Sequence, residues 1–248
     1  MQEKDYWRVE QACRDAWPAA REEQTQGWLF RISGGETRRT NSVNALPTAK
    51  SVQAVMAEAE IFYGRHERPL LFRTLSFQPE FEAELAKTGF NDLGETVCTL
   101  TASLHGVQRP SAHEVDLTMV PSPEWVGDKL RLTPMSLPQE KAYRFMLHHL
   151  RVPTAFARVS NAGQGASVAY GAISQGLLVI ESVITDEAHR GQRLADATVG
   201  ALMDWGFAAG AKAACLQVVR ENMPARALYK RLGFAGELYR YNYWRLGK

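Results

Sequence analysis

The sequence of 248 residues has few cysteines, no long apolar run and no excess of one charge. Each shortage narrows what the protein can be. The three cysteines, Cys13, Cys98 and Cys215, are far apart, odd in number and outside any Cys-x-x-Cys or Cys/His ligand spacing. Neither a disulfide framework nor a zinc site is expected, and no metal is assigned. No apolar stretch approaches the ~18 residues of a membrane helix, so no membrane partner is expected. The opening Met1-Gln2-Glu3-Lys4-Asp5 lacks the apolar core of a signal peptide, so the expected location is cytoplasmic. A formal net charge of +2 gives no reason to expect nucleic acid. The six histidines form no recognisable ligand or catalytic group. What remains is an ordinary globular composition, 45% hydrophobic and 23% charged, long enough for one large domain or two small ones.

The most informative stretch is 176–234. Leu177 to Ile184 is β-branched and almost wholly apolar, as in a strand buried on both faces. After Gly191 the period changes: Leu194, Ala197, Ala201, Leu202 and Trp205 recur at spacings of three and four, which predicts a helix that Gly210 ends. Ala213 to Val219 is a second buried strand. Asn222 is placed to cap a further helix with Pro224 in its first turn, and Gly233 sits where a helix end needs positive φ.

Two motifs lie in that stretch. Arg190-Gly191-Gln192-Arg193-Leu194-Ala195 resembles the acetyl-CoA pyrophosphate loop of the GNAT acetyltransferase superfamily. Asn222-x-x-Ala225-Arg226-x-Leu228-Tyr229-x-x-Leu232-Gly233-Phe234 resembles that superfamily's second signature. They stand in the family's order, with strand and helix between them, and the resemblance covers roughly residues 115–248. One position departs: the family's fourth loop residue is usually glycine, and here it is Arg193. Glycine there lets the backbone approach a phosphate, so the departure bears on cofactor affinity more than on fold.

The resemblance carries a chemistry. Acetyl transfer from a thioester to an amine requires a held cofactor, a deprotonated amine, a stabilised oxyanion and a protonated thiolate. Unpaired amides at a helix N-terminus suit a pyrophosphate, and residues 190–195 would supply them. The resemblance implies that Val183 and Thr185 offer backbone hydrogen bonds to pantetheine, that Asn222 contacts the cofactor, and that Tyr229 is the general acid. As plain residues, Asn222 reads as a helix cap and Tyr229 as a helix tyrosine packing on a sheet. Glu181 is the sole carboxylate within the buried strand 177–185. It is a candidate base, directly or through water; equally, it pairs with an arginine or points to solvent.

Upstream, residues 3–22 have helical spacing that Trp17-Pro18 interrupts. Trp28–Ile32 reads as a strand, 33–36 as a turn and 37–43 as a returning strand. Thr48 is a plausible cap for a helix holding Val52, Val55, Met56, Ala59, Phe62 and Tyr63. Leu70-Leu71-Phe72 is a short strand, Phe81, Leu85 and Ala86 lie on a helix closed by Gly89-Phe90, and 96–104 is a strand. A shift of 144 residues lays Gly89-Phe90 on Gly233-Phe234 and Leu70-Leu71-Phe72 on Ala214-Cys215-Leu216. The pattern is that of a degenerate internal repeat. In the first copy Leu85 stands opposite Tyr229, Gln78 opposite Asn222, and 46–51 has no glycine opposite the loop. The expected organisation is an α/β fold of two GNAT-like units, each a mixed sheet flanked by helices. Residues 1–110 would be a degenerate unit and 111–248 the acetyl-CoA-binding one. Between and after them, 115–120 is a strand, 138–150 a helix, and 154–159 and 167–174 a hairpin.

The expected function is an N-acyltransferase that moves acetyl from acetyl-CoA to a primary amine of a small molecule or peptide. The alternative is a CoA-binding regulatory or partner-binding pseudoenzyme. Nothing in the sequence names the acceptor, the acyl length or the oligomeric state.

Overall fold

A computed structural model describes residues 3–105 and 112–247. Met1 and the expected 110/111 boundary fall outside those residues. The described chain forms seven α-helices: α1 (Glu3–Ala16), α2 (Val52–Arg65), α3 (Pro79–Lys87), α4 (Pro123–Leu132), α5 (Leu137–His148), α6 (Leu194–Ala208) and α7 (Met223–Arg231). Its strands are β1 (Arg21–Thr25), β2 (Trp28–Ile32), β3 (Val43–Ala45), β4 (Leu71–Leu75), β5 (Phe90–Asp92) and β6 (Val97–Ser103). They continue with β7 (Asp116–Thr118), β8 (Thr154–Asn161), β9 (Gln164–Ser174), β10 (Leu177–Thr185), β11 (Ala213–Val219) and β12 (Gly236–Leu246).

All twelve strands join one sheet in the order β1-β2-β3-β4-β12-β6-β11-β10-β9-β8-β7, with β5 paired to β12. Side chains alternate across such a sheet, so each strand feeds two cores. Tyr239, Tyr241 and Tyr243 of β12 and Val97 of β6 face a core shared with α1, α4 and α5. Cys98, Leu100 and Ala102 of β6 face the opposite core, with α6 and α7. Phe72 of β4 packs with α2 and α3. Both faces are therefore covered, which explains the apolar runs in β4, β10 and β11. Helix α6 lies close on the sheet at Gly206, where an added Cβ would stand 2.8 Å from Leu178 Cδ2.

Several sequence expectations change. The first helix stops at Ala16, at the Trp17-Pro18 interruption, and does not resume toward residue 22, because the residue before a proline avoids the helical region and Pro18 has no N–H to donate. The chain after it is β1, whose exposed Arg-Glu-Glu-Gln-Thr faces solvent at the sheet edge, where charge discourages further pairing. The returning strand at 37–43 is a 3₁₀ turn (Arg38–Thr40) followed by β3. Ser51, not Thr48, caps α2, its hydroxyl accepting from the Ala54 amide at 3.3 Å. Helix α4, capped by Ser122 and opened by Pro123, has no counterpart in the sequence reading, while β12 is the strand that the repeat places after Gly233-Phe234.

The exchange at the centre of the sheet matters most. Strand β6 pairs with β11, and β12 pairs with β4. Each of these late strands thus lies on a strand from the other half of the chain, and β6 and β12 pair with each other.

Candidate active site

Strand β10 and strand β11 run parallel only from Leu177–Val179 against Ala213–Cys215. Beyond that they diverge, since β11 continues to Val219 on β6 alone. A bulge between Glu181 and Ile184, with Ser182 at φ +58°, turns β10 at the same place. On its β11 side the backbone of residues 183–185 thereby faces an opening, while on the other side Ile184 and Thr185 pair with Val168 and Ser167 of β9.

That opening is a cleft of about 750 Å³. Val183 and Thr185 line it on one side, and Arg190, Gly191, Arg193, Leu194 and Ala195 at the start of α6. Asn222 and Tyr229 of the α7 segment close the other side. Of the residues expected to bind cofactor, Gln192 alone is not on this wall; its carbonyl lies 2.9 Å from a ring nitrogen of His113. Asp196 and Arg231, which no motif singles out, also line the cleft. Asp196 accepts from Arg193 at 3.2 Å and from Arg231 at 3.0 and 3.1 Å. It carries the only acid in the first turn of α6 and holds two arginines at the mouth of the helix.

The loop geometry accounts for its residue types. Gly191 has φ +79° and Arg193 φ +60°, both in the left-handed region. Glycine enters that region freely, and an L side chain pays about 1–2 kcal/mol. The family's glycine at the Arg193 position therefore has a conformational reason in addition to close approach. The Arg193 side chain is 70% exposed and reaches Asp196 in the first turn of α6. Asn222 caps α7, its carbonyl oxygen accepting from the Ala225 amide at 3.2 Å. Tyr229 is 7% exposed, stacks edge-on with Phe234, and its hydroxyl makes no hydrogen bond among the described residues. Burial pushes its phenol up, and the Glu181 carboxylate adds to the shift, so the hydroxyl keeps its proton at neutral pH.

Glu181 lies outside the cleft wall. It is 8% exposed and receives both guanidinium nitrogens of Arg39, at 2.7 and 3.0 Å. Arg39 also donates to Gln217 Oε1 at 2.8 Å and stands 4.9 Å from the Trp17 ring. Burial works against the Arg39 charge, but Glu181 outweighs it and holds the guanidinium well above its ordinary range. Of the two sequence readings of Glu181, the ion pair is present in this structure. Arg39 is half-buried and reaches across 142 positions, a contact no local pattern signals. Beside it, Tyr143 of α5 meets Ser182 with oxygens 2.9 Å apart.

Residues 5–244 match the family described as "Probable histone acetyltransferase Rv0428c C-terminal". The chain belongs to that family. It is a GNAT-type N-acetyltransferase. Among curated relatives, the chain is 23% identical over 236 residues to the Bacillus subtilis (strain 168) protein "Uncharacterized N-acetyltransferase YobR", covering 93% of this chain and 95% of that one. Among solved structures it is similar to a GCN5-related N-acetyltransferase from Kribbella flavida, with a TM-score of 0.72, 15% identity and 98% and 95% of the two chains covered. It is also similar to a tandem GNAT protein from the clavulanic acid biosynthesis pathway, with a TM-score of 0.68, 14% identity and 84% and 76% covered. At these identities the structural likeness speaks to the acetyltransferase fold. No group of three or more potential metal ligands occurs among the described residues, and no described helix is long and apolar enough to cross a membrane.

Proposed function

We propose that this acetyltransferase moves acetyl directly from acetyl-CoA to a primary amine, using the cleft between β10, α6 and α7. One observation carries the reading: the edge of β10 that β11 leaves, the glycine-marked N-terminus of α6 and a buried tyrosine whose hydroxyl makes no hydrogen bond among the described residues converge on one opening. Amides of residues 191–195 would take the pyrophosphate, with Arg190 beside them. Val183 and Thr185 would pair with pantetheine as an added strand does, and the Val183 amide would polarise the thioester carbonyl. The neutral amine attacks that carbonyl carbon, the C–S bond breaks, Tyr229 gives its proton to the departing sulfur, and the nitrogen loses its surplus proton. Glu181 is our candidate for the acceptor of that last proton, through water or through the Ser182–Tyr143 pair, because its charge reaches both Tyr229 and Tyr143. No cysteine lines the cleft, which favours direct transfer over an acyl-enzyme.

The N-terminal half is proposed as a second, degenerate unit. Helix α3 (Pro79–Lys87) shifted by 144 falls on α7 (Met223–Arg231), and Gly89 and Gly233 share positive φ values of +85° and +92°. Strand β3 runs parallel to β4 across α2, as β10 runs parallel to β11 across α6. Opposite Tyr229 stands Leu85, wholly buried in the core with α2, so that copy offers no acid. Its role is to supply Arg39 and one wall of the acceptor side.

Calorimetric titration with acetyl-CoA tests the cofactor site. Micromolar binding is expected, and Gly191→Val should weaken it at least tenfold. A Cβ there meets no protein atom within 4 Å, so the harm comes from φ +79° and from filling space before the α6 amides. Unchanged affinity in that variant would remove the loop from the site. For Glu181→Gln, a base role predicts kcat lowered about 10²-fold with acetyl-CoA affinity kept. A purely structural role predicts lower thermal stability with kcat kept. The second reading, a binding-only protein, takes its support from Asp196 already pairing Arg193 and Arg231; it predicts acetyl-CoA binding without turnover of any amine.

A further inference from the structure

A second cavity, of about 250 Å³, opens between the N-terminal half and helices α4 and α5. Trp17, Met135, Ala142 and Met146 give it apolar walls. Tyr143 connects it to the chemistry: its ring lines the cavity, and its hydroxyl touches Ser182, the neighbour of the cleft residue Val183. An acceptor seated here would approach β10 near its bulge.

Lys129 also lines this cavity, and the acyl transfer has no use for it. The residue is 7% exposed. Its Nζ donates to Thr133 Oγ1 at 2.8 Å and stands 5.7 Å from the Tyr143 ring, and no carboxylate pairs with it among the described residues. The neighbouring acids are committed elsewhere. Asp128 pairs with Arg131 and Arg158, and Glu181 with Arg39. Glu36, on the cavity rim, is exposed and accepts from Gln139 at 2.9 Å. Burial pushes Lys129 down to about 8, partly offset by Glu181, so it is mainly cationic at neutral pH. A buried ammonium without a counter-ion is costly unless something else supplies the anion.

Resting on the acetyl-transfer reading above, we propose that Lys129 receives the carboxylate of the acceptor, and that the acceptor is a free amino acid with an apolar side chain. The cation is a single lysine, a point charge suited to one carboxylate; the Arg39 fork nearby, which would suit a phosphate, is already filled by Glu181. The apolar walls suit the side chain, and the volume admits one amino-acid-sized molecule.

The test uses the purified full chain at saturating acetyl-CoA. L-phenylalanine, L-methionine and L-leucine are compared with the amines that lack their carboxylate: phenethylamine, 3-(methylthio)propylamine and isoamylamine. CoA release and product mass are measured. The expected result is a kcat/KM at least tenfold higher for the amino acids. Lys129→Met should raise KM for them tenfold or more while leaving the amines unchanged, and Lys129→Arg should restore part of the loss. Equal or better turnover of the amines, or an unchanged preference in Lys129→Met, overturns the proposal. If acetyl-CoA does not bind by calorimetry, the acetyl-transfer reading fails by itself. Lys129 is then judged from thermal shifts with L-phenylalanine: a rise in the wild type that Lys129→Met abolishes supports the site, and no rise overturns it. The methionine variant keeps the stem and removes a buried charge, so it is expected to fold.

Discussion

Tyr229→Phe is expected to lower kcat for acetyl transfer by about 10²–10³-fold while acetyl-CoA affinity stays within twofold. The substitution removes one oxygen from a side chain that is 7% exposed and makes no hydrogen bond among the described residues, so packing against Phe234 is kept. Nothing in the folded protein needs the hydroxyl; the departing thiolate does. Steady-state kinetics with a turned-over amine, alongside calorimetry, separate the two quantities. Wild-type kcat in the variant would show that water or the cofactor itself protonates the sulfur. A loss of affinity equal to the loss of rate would make Tyr229 a binding residue only. Because burial raises its pKa, the phenol stays protonated across the working range, and no basic limb from Tyr229 is expected below about pH 10.

The second large effect is on stability. Arg73→Met should destabilise the protein by about 3–5 kcal/mol, because it strands a buried carboxylate. Glu10 of α1, 2% exposed, receives Arg73 of β4 at 2.6 and 2.9 Å and the hydroxyl of Tyr239 of β12. Arg73 also lies 3.7 Å from the Tyr241 ring. Burial alone would raise the Glu10 carboxyl, but Arg73 and Tyr239 outweigh it and hold it below the ordinary range. In the wild type this group's contribution is therefore present above about pH 4.3, its unfolded value, and is lost as acid takes the pH through the lower folded value. In Arg73→Met burial wins, the folded value rises above the unfolded one, and the sign inverts. The variant should then recover part of its loss between pH 7 and pH 5. Urea denaturation at the two pH values checks this; an equal deficit at both would mean that Glu10 finds another counter-charge. The double variant Glu10→Leu/Arg73→Met should recover most of the stability, since no charge is left unpaired.

The cofactor side of the site was legible because its signals are local. Positive φ at Gly191 and Gly233, an Asn222 cap and a buried β10 are each fixed by a few adjacent residues, and the structure shows each. Arg193 was read as a departure from glycine and sits in the left-handed conformation that glycine favours. The acceptor side was not legible. Arg39 carries no local signal of its partner, Lys129 fell in a stretch given no element, and Tyr143 was not among the residues chosen for helix 138–150. What gives them meaning is contact across more than 35 positions, Arg39 with Glu181 and Tyr143 with Ser182. A strand after Gly233-Phe234 followed from the repeat, but its pairing with β4 and β6 did not, since strand partners are set by distant chain.

By itself the sequence determined the helices and strands of 176–234, the loop that precedes α6, and the acetyltransferase resemblance. Periodicity, capping and glycine φ act within one or two turns of chain and need no partner to be read. The tertiary structure alone decided that β6 and β12 exchange between halves, that Glu181 is held by Arg39, and that Lys129 is buried beside β10 without a counter-ion among the described residues. Those are matters of which distant surfaces exclude water together, and burial sets the cost of each charge only once that is fixed.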